Sequence, residues 1–227
     1  MKNQKNMKLL LQAITKFILG IIMIGLLLFL PAGTFKFWNA WLFMGLLFIQ
    51  MFILGLILWI KDKELLKKRL NSKEKEIEQK QVILISLIIF VGGFILAGLD
   101  FKYGWSTLPK EITIVSSIIL IVSYIFYAEV MRENAYLSRT VEVQENQKVI
   151  DTGLYGIVRH PMYLSTTLLF LSFPLVLGSL ISFIIFLIFP CTLVKRIKNE
   201  EKVLEEGLKG YKEYKEKVKY KMIPFIW

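Results

Sequence analysis

The chain is poor in the two residues that most often carry metal and redox chemistry. Its 227 residues include one cysteine, Cys191, and one histidine, His160. A single cysteine excludes an intramolecular disulfide, and one cysteine with one histidine is too few for a closed metal site. We therefore expect a protein that has neither a disulfide nor a metal centre.

Long stretches with little charge are the strongest feature of the sequence. Hydrophobic residues make up 55% of the chain and gather in runs of about 20 residues, the length that crosses a bilayer. The first four runs are residues 9–31, 38–60, 82–99 and 112–131. The first is too long for the core of a signal peptide and lacks a small-residue cleavage site. The pattern predicts an all-α, polytopic membrane protein with about six membrane segments.

The basic residues, which give a net charge of +11, are distributed very unevenly between the apolar runs. Segment 61–80 carries eight Lys and Arg residues, segment 132–159 carries four, and the tail from residue 195 onward carries ten. The other connections carry only three: Lys36, Lys102 and Lys110. By the positive-inside rule, both termini and both basic connections are cytoplasmic. We therefore interpret the charge as a sign of membrane topology and contact with acidic lipid, not of nucleic-acid binding.

The last apolar region, residues 162–194, is too long for one span and short for two. A single span would carry the basic tail to the outside, whereas two short spans that turn at Gly178 and Ser179 keep it inside. Pro190 is expected to bend the returning span. We predict one membrane domain over residues 1–227, with four spans in 1–131 and a core in 132–227 that includes this hairpin.

Two charged segments flank these spans on the predicted cytoplasmic side. We interpret segment 61–80 as a solvated loop; the alternative is that it extends the second and third spans as helix or bends at Asn71-Ser72. In the tail, apolar residues recur in steps of three and four, which predicts an amphipathic helix on the membrane interface or against the ends of the spans. These residues are Leu204, Leu208, Tyr211, Tyr214 and Val218. Gly207 and Gly210 are expected to interrupt the helix.

Polar residues that suit a ligand site cluster in segment 151–163 and just beyond the last span. Pro161 fits the first turn of a helix, whose free N–H groups favour an anion. A histidine before a proline is also a common packed residue, however. Arg196 and Glu200 lie four residues apart, so on a helix they share a face. As a mere surface ion pair they would contribute about 0.3–0.5 kcal/mol.

Two sequence blocks resemble the isoprenylcysteine carboxyl methyltransferase family and its bacterial relatives. They are VQENQKVIDTGLYGIVRHPMYLS and, after the hairpin, KRIKNEE with the later YKEY. The resemblance covers residues 134–227. The RHPMY part alone is less specific, since phospholipid N-methyltransferases and sterol reductases carry similar blocks. The added R-x-x-x-E-E pattern favours the carboxyl methyltransferases.

The resemblance implies S-adenosylmethionine as methyl donor and a lipophilic, membrane-borne acceptor, with carboxyl O-methylation as the expected reaction. It implies that Arg196 meets the acceptor as the catalytic residue. The residues that it implies for the cofactor are Gln144, Gln147, Lys148, Val149, Ile150, Tyr155, His160, Pro161, Met162, Tyr163 and Glu200. His160 is thus expected in a cofactor wall and not as a base.

Three other functions remain open at this point. A phospholipid or amine N-methyltransferase would share the cofactor, and Arg196 argues mildly against it. An NADPH-dependent membrane reductase would share the fold, and Glu200 argues against it more strongly. A membrane adaptor would need no cofactor. The lysine-rich composition favours a bacterial inner membrane as the location.

Overall fold

The computed structural model describes residues 2–71 and 77–227, and within these ranges the chain contains helices and no strands. The helices are α1 (Lys2–Ala32), α2 (Trp38–Lys61), α3 (Lys63–Leu70), α4 (Ile77–Tyr103), α5 (Lys110–Glu133), α6 (Pro161–Val176), α7 (Leu180–Phe186), α8 (Ile188–Gly207) and α9 (Tyr211–Lys217). A short 3-10 helix, Gly153–Gly156, precedes α6. The predicted all-α architecture is confirmed.

Five helical stretches in the described ranges are long and apolar enough to cross a membrane. They are Gln4–Ala32, Trp38–Lys61, Gln79–Tyr103, Lys110–Glu133 and Leu180–Gly207. The apolar helix α6 has only 16 residues and makes a sixth, shorter segment. The protein is therefore an integral membrane protein, in agreement with the expected six segments.

The short helix α6 occupies the middle of the bundle. It packs along α5 and also contacts α2, α4, α7 and α8. Phenylalanine rings fill the space around it, with the Phe90 ring 4.7 Å from that of Phe170 and the Phe43 ring 4.8 Å from that of Phe173. Because protein surrounds α6 on several sides, a helix shorter than the bilayer can be accommodated.

The predicted hairpin is present and turns at the expected place. Gly178 follows the end of α6 and has a φ of +76°. The Ser179 hydroxyl caps α7 by accepting the N–H of Ser182, in its first turn, at 3.1 Å. The returning helix breaks between α7 and α8 at Leu187. Pro190 explains this break, because its ring excludes the carbonyl four residues earlier from helical bonding.

The interpretation of segment 61–80 as a solvated loop is wrong for residues 63–70, which form α3. Asp62 caps this helix by accepting the Leu65 N–H at 2.9 Å, and Leu65 and Leu66 are buried. Lys68 donates to the Ala135 carbonyl at 3.0 Å and so ties the helix to the segment after α5. The rest of the interpretation falls partly on residues 72–76, which lie outside the described ranges.

The tail forms two helices, and the predicted glycines separate them. Helix α8 ends at Gly207, and Gly210, with a φ of +88°, precedes α9. The apolar strip of the tail does not face the lipid. It packs against Val143 and Val149 of the segment that connects α5 to α6. Two placements were expected for this helix, and the structure agrees better with packing against the ends of the spans than with the membrane interface.

Close packing of α1 against α4 generates a first prediction. A Cβ at position 98 would lie 2.5 Å from the Leu28 carbonyl oxygen, whereas one at position 92 meets no described atom within 4 Å. Gly98→Ala should therefore force the two helices apart and lower stability by about 1–3 kcal/mol. Thermal unfolding in detergent should show a lower midpoint for Gly98→Ala than for the matched control Gly92→Ala. Equal midpoints would contradict the packing of α1 on α4.

Candidate functional site

A cavity of about 800 Å³ lies at the end of the bundle where α5 ends and α6 begins. We call this end the site end. The cavity wall is polar near Tyr163 and Arg196 and apolar near Leu47 and Phe90. Exposed Lys148 lines one border. On the apolar surface of the bundle, the wall includes Met51 of α2 and Leu87 of α4, whose side chains are exposed. The cavity is thus open to both polar and apolar surroundings.

The hydroxyl group of Tyr163 contacts both Arg196, which was expected to meet the acceptor, and Glu200, which was expected to hold the cofactor. It donates a hydrogen bond to the Glu200 carboxylate and accepts one from Arg196 Nε at 2.9 Å. The Arg196 guanidinium also donates to the Gln79 side-chain oxygen at 3.0 Å. Among the described contacts, Arg196 and Glu200 form no direct ion pair. Their orientation therefore depends on a buried phenol from α6, not on simple pairing along the helix.

Ten of the twelve predicted site residues line this one cavity. They are Gln147, Lys148, Val149, Ile150, Tyr155, His160, Met162, Tyr163, Arg196 and Glu200. Gln144 and Pro161 do not line it. Gln144 donates its side-chain amide to the Tyr136 carbonyl, and its backbone N–H donates to the Gln147 side-chain oxygen at 2.8 Å, so it supports the lining segment from behind. Pro161 is buried at the first position of α6.

Contacts with the end of α5 fix the turn that carries Tyr155. The Glu133 carboxylate accepts the Leu154 N–H at 2.9 Å, and a Cβ at Gly153 would lie 1.9 Å from a Glu133 oxygen. Asn134 donates to the Tyr155 hydroxyl at 3.0 Å. Burial raises the pKa of Tyr155, so its hydroxyl stays protonated at neutral pH. The polar residues at the end of α5 therefore have a defined structural role.

A buried ion cluster adjoins the cavity and centres on Glu201, which is 4% exposed. Arg159 and His160 of this cluster line the cavity, whereas Glu201 does not. Its carboxylate accepts from Arg159 Nε at 2.8 Å, lies 3.3 Å from His160 Nε2, and contacts Lys221 Nζ at 3.0 Å. The Arg159 guanidinium also donates to the Val218 carbonyl at 2.6 Å. The cluster joins the start of α6, helix α8 and the C-terminal tail in one network.

Sequence reasoning did not assign Arg159 or Glu201 to the site. Consecutive residues on a helix point about 100° apart, so Glu200 and Glu201 face different groups. Glu200, which lines the cavity, contacts Tyr163, whereas Glu201, which does not line it, contacts His160. The adjacent pairs Arg159-His160 and Glu200-Glu201 are the signal that could have indicated this second cluster.

Two further cationic residues on the cavity wall, Arg69 and Arg139, were also missed. Arg69 comes from α3 and donates to the Ser138 carbonyl at 3.2 Å and to the Tyr127 hydroxyl. Burial, together with the neighbouring cations Arg69 and Arg196, lowers the pKa of Arg139. No local pattern could have placed α3 at the cavity, since 69 positions separate Arg69 from Ser138. The described residues contain no group of three or more His, Cys, Asp or Glu that could hold a metal.

Comparison with known proteins agrees with the geometry. Residues 110–210 match the family model described as phospholipid methyltransferase. The match covers less than half of the chain, and the matched family is part of a membrane methyltransferase superfamily. That superfamily includes the isoprenylcysteine carboxyl methyltransferases, so the predicted resemblance is confirmed at this level. The narrower carboxyl methyltransferase type stays a prediction.

A reductase is also among the relatives. A Delta(14)-sterol reductase of Mus musculus is 30% identical over 91 residues. The match covers 39% of this chain and 22% of the reductase, so the chain matches about a fifth of that curated relative.

The buried cluster generates a second prediction. Glu201→Gln removes the negative charge that Arg159 and Lys221 share, and uncompensated buried charge should destabilise the fold by about 3–5 kcal/mol. Thermal unfolding in detergent should show a large drop in midpoint. Limited proteolysis should show faster cleavage after residue 207, because the tail loses its anchor. Glu216→Gln, at an exposed position of α9, is the matched control and should behave as wild type. If both variants melt alike, the cluster does not hold the tail.

Proposed function

We propose that this protein is an S-adenosylmethionine-dependent methyltransferase that acts on a lipophilic, membrane-borne acceptor, with carboxyl O-methylation as the reaction. The observation that carries the proposal is the Tyr163 hydroxyl, which links a cation and a carboxylate inside a cavity open to polar and apolar surroundings. The match of residues 110–210 to a methyltransferase family supports it. We place the reaction at the cytoplasmic face of a bacterial inner membrane, on the grounds of the charge distribution.

The cavity suits the cofactor in size and in chemistry. Its volume of about 800 Å³ lies within the range of ligand sites in proteins. S-adenosylmethionine is cationic at both its sulfur and its amino group, and the Glu200 carboxylate offers a charge complementary to such groups. The backbone of residues 147–150 and the Tyr155 side chain line the same wall and would hold the remainder.

When bound, S-adenosylmethionine would supply a methyl group that is carried on positively charged sulfur. The C–S bond would break as the acceptor oxygen forms the new C–O bond, and the sulfur would keep the electron pair. A carboxylate acceptor is already ionised at neutral pH, so no residue has to act as a base. Arg196 would hold one edge of that carboxylate, since its planar guanidinium group can donate two parallel hydrogen bonds. Positioning of the two groups can contribute about 7–11 kcal/mol.

Two alternatives keep specific support. The description of the matched family favours N-methylation of a phospholipid amine. An amine must lose a proton first, and His160, whose Nε2 lies 3.3 Å from the Glu201 carboxylate, lines the cavity as a candidate to accept it. The sterol reductase relative favours a nicotinamide-dependent reductase. The identity of the bound cofactor separates this last alternative from both methyltransferases.

Cofactor binding is the first test of the proposal. Calorimetric titration of the detergent-purified protein should detect S-adenosylmethionine binding and no NADPH binding. Glu200→Gln should weaken S-adenosylmethionine binding about 10-fold to 100-fold, because it removes a charged hydrogen-bonding partner. Glu206→Gln, at an exposed position of the same helix, should bind as wild type. NADPH binding, or no binding of S-adenosylmethionine by the wild type, would overturn the methyltransferase proposal.

Arg196 is expected to act on the acceptor and not on the cofactor. Arg196→Ala should lower methyl transfer to a long-chain carboxylate by about 100-fold or more, as expected when a group that positions and stabilises the reacting oxygen is removed. The affinity for S-adenosylmethionine should change less than about twofold. Arg196→Lys keeps the charge without the fork and should recover part of the rate. A parallel loss of cofactor affinity would instead make Arg196 a cofactor contact.

A further inference from the structure

Three arginines converge on one stretch of backbone in the cavity wall. Arg69 of α3 donates to the Ser138 carbonyl at 3.2 Å, and Arg196 of α8 donates to the Arg139 carbonyl at 2.9 Å. These are consecutive carbonyls, so the two guanidinium groups flank Arg139, whose side chain lines the same cavity. Helix α3 is fixed in this position by its Asp62 cap and by the Lys68 contact to Ala135.

The carboxylates of the described wall form no ion pair with two of these arginines, Arg69 and Arg139. The described wall includes Glu142 and Glu200, which accept hydrogen bonds from Thr140 and Tyr163. Arg69 is half-buried and Arg139 is exposed at the cavity wall. Like charges held close together repel each other, and a bound anion would relieve that repulsion.

The arginines also lie where an amphiphile would place its head. Arg69 contacts Tyr127, which faces the cavity from the last turns of α5, at the site end. The same cavity continues along the apolar residues Leu47, Val82 and Phe90 and reaches exposed Met51 on the side of the bundle. A hydrocarbon chain that enters from the lipid would therefore lie along apolar wall, with its polar head toward the arginines.

We propose that Arg69 and Arg139 form an anion-binding pair that selects an acceptor with an anionic oxygen group, a carboxylate or a phosphate, at the head of a hydrocarbon chain. The proposal depends on the proposed function only in that it calls the ligand an acceptor, because an anion can bind without methyl transfer. Arg69 and Arg139 bind and position the head in this scheme, and Arg196 remains the residue that meets the reacting oxygen. Specificity for anionic over neutral amphiphiles would thus depend on α3, which lies outside the region that matches the methyltransferase family.

Binding of labelled palmitate, a 16-carbon carboxylate, to the detergent-solubilised full chain tests this pair by scintillation proximity. Unlabelled palmitate and lysophosphatidate should displace the label at concentrations at least about tenfold lower than hexadecanol, which has the same chain without the charge. Arg139→Gln and Arg69→Gln should each weaken palmitate binding about tenfold, as expected for loss of a charged hydrogen bond, and leave hexadecanol competition unchanged. Arg69→Lys and Arg139→Lys should retain most of the affinity.

Arg139→Gln is the more informative variant, because the Arg139 side chain makes no hydrogen bond or ion pair within the described residues, so its loss should not disturb α3. Arg132→Gln is the matched control. Arg132 lies at the same end of α5, pairs with Glu129 through a 2.7 Å hydrogen bond, and does not line the cavity. It should bind palmitate as wild type. Unchanged palmitate binding in both Arg139→Gln and Arg69→Gln, or equal competition by hexadecanol and palmitate, would overturn the proposal.

Two further readouts separate this proposal from the proposed function and identify the source of the anion. If Arg139→Gln weakens S-adenosylmethionine binding as strongly as palmitate binding, the pair belongs to the cofactor, and the proposal is wrong.

Transfer of labelled methyl to palmitate would identify the carboxylate of the acceptor as the anion. Displacement by lysophosphatidate without transfer to palmitate would identify a lipid phosphate. Failure of all methyl transfer with palmitate binding intact would count against the proposed function and leave the anion-binding pair supported.

Discussion

The buried carboxylate of Glu201 is the interaction on which the site end of the bundle depends. A carboxylate that is 4% exposed is stable only when cations and hydrogen-bond donors surround it, and Arg159, His160 and Lys221 supply them. Arg159 and His160 precede α6, and Lys221 belongs to the C-terminal tail. The single charge thereby fixes the start of α6 against α8 and brings the tail beneath both. Tyr163, one turn into α6, meets Glu200 and Arg196 because this anchor sets the position of its helix.

The length of the hairpin formed by α6, α7 and α8 determines which segments the Glu201 cluster can connect. Because α6 has 16 residues and turns at Gly178, its first turn and the charged half of α8 lie at the same end of the bundle. After the break at Leu187, α8 continues beyond the apolar layer as one helix. Arg196, Glu200 and Glu201 lie on this part of α8. A longer α6 would displace the two halves of the site relative to each other. The hairpin length is therefore a constraint on function as well as on membrane insertion.

The sequence was sufficient to predict the spans, the turn at Gly178, the break near Pro190 and the facing blocks around His160 and Arg196, because hydropathy, proline and glycine act locally. It was not sufficient for α3. Charge-rich composition indicated a solvated loop there, and only tertiary contact shows that Leu65 and Leu66 are buried. The different roles of Glu200 and Glu201 also required the structure, since adjacency along the chain does not specify which neighbour each carboxylate meets.

The arrangement separates three tasks that a transfer between a water-borne cofactor and a lipid-borne acceptor requires. The Glu201 cluster stabilises the architecture, and Arg159 and His160 of this cluster also line the cavity. The Tyr163 hydroxyl orients Arg196 and Glu200 at the cavity itself. Arg69, on α3, and Arg139, in the segment that follows α5, line a further part of the cavity wall. Because α3 lies outside the region that matches the methyltransferase family, the acceptor recognition proposed for Arg69 can vary without loss of the proposed cofactor wall.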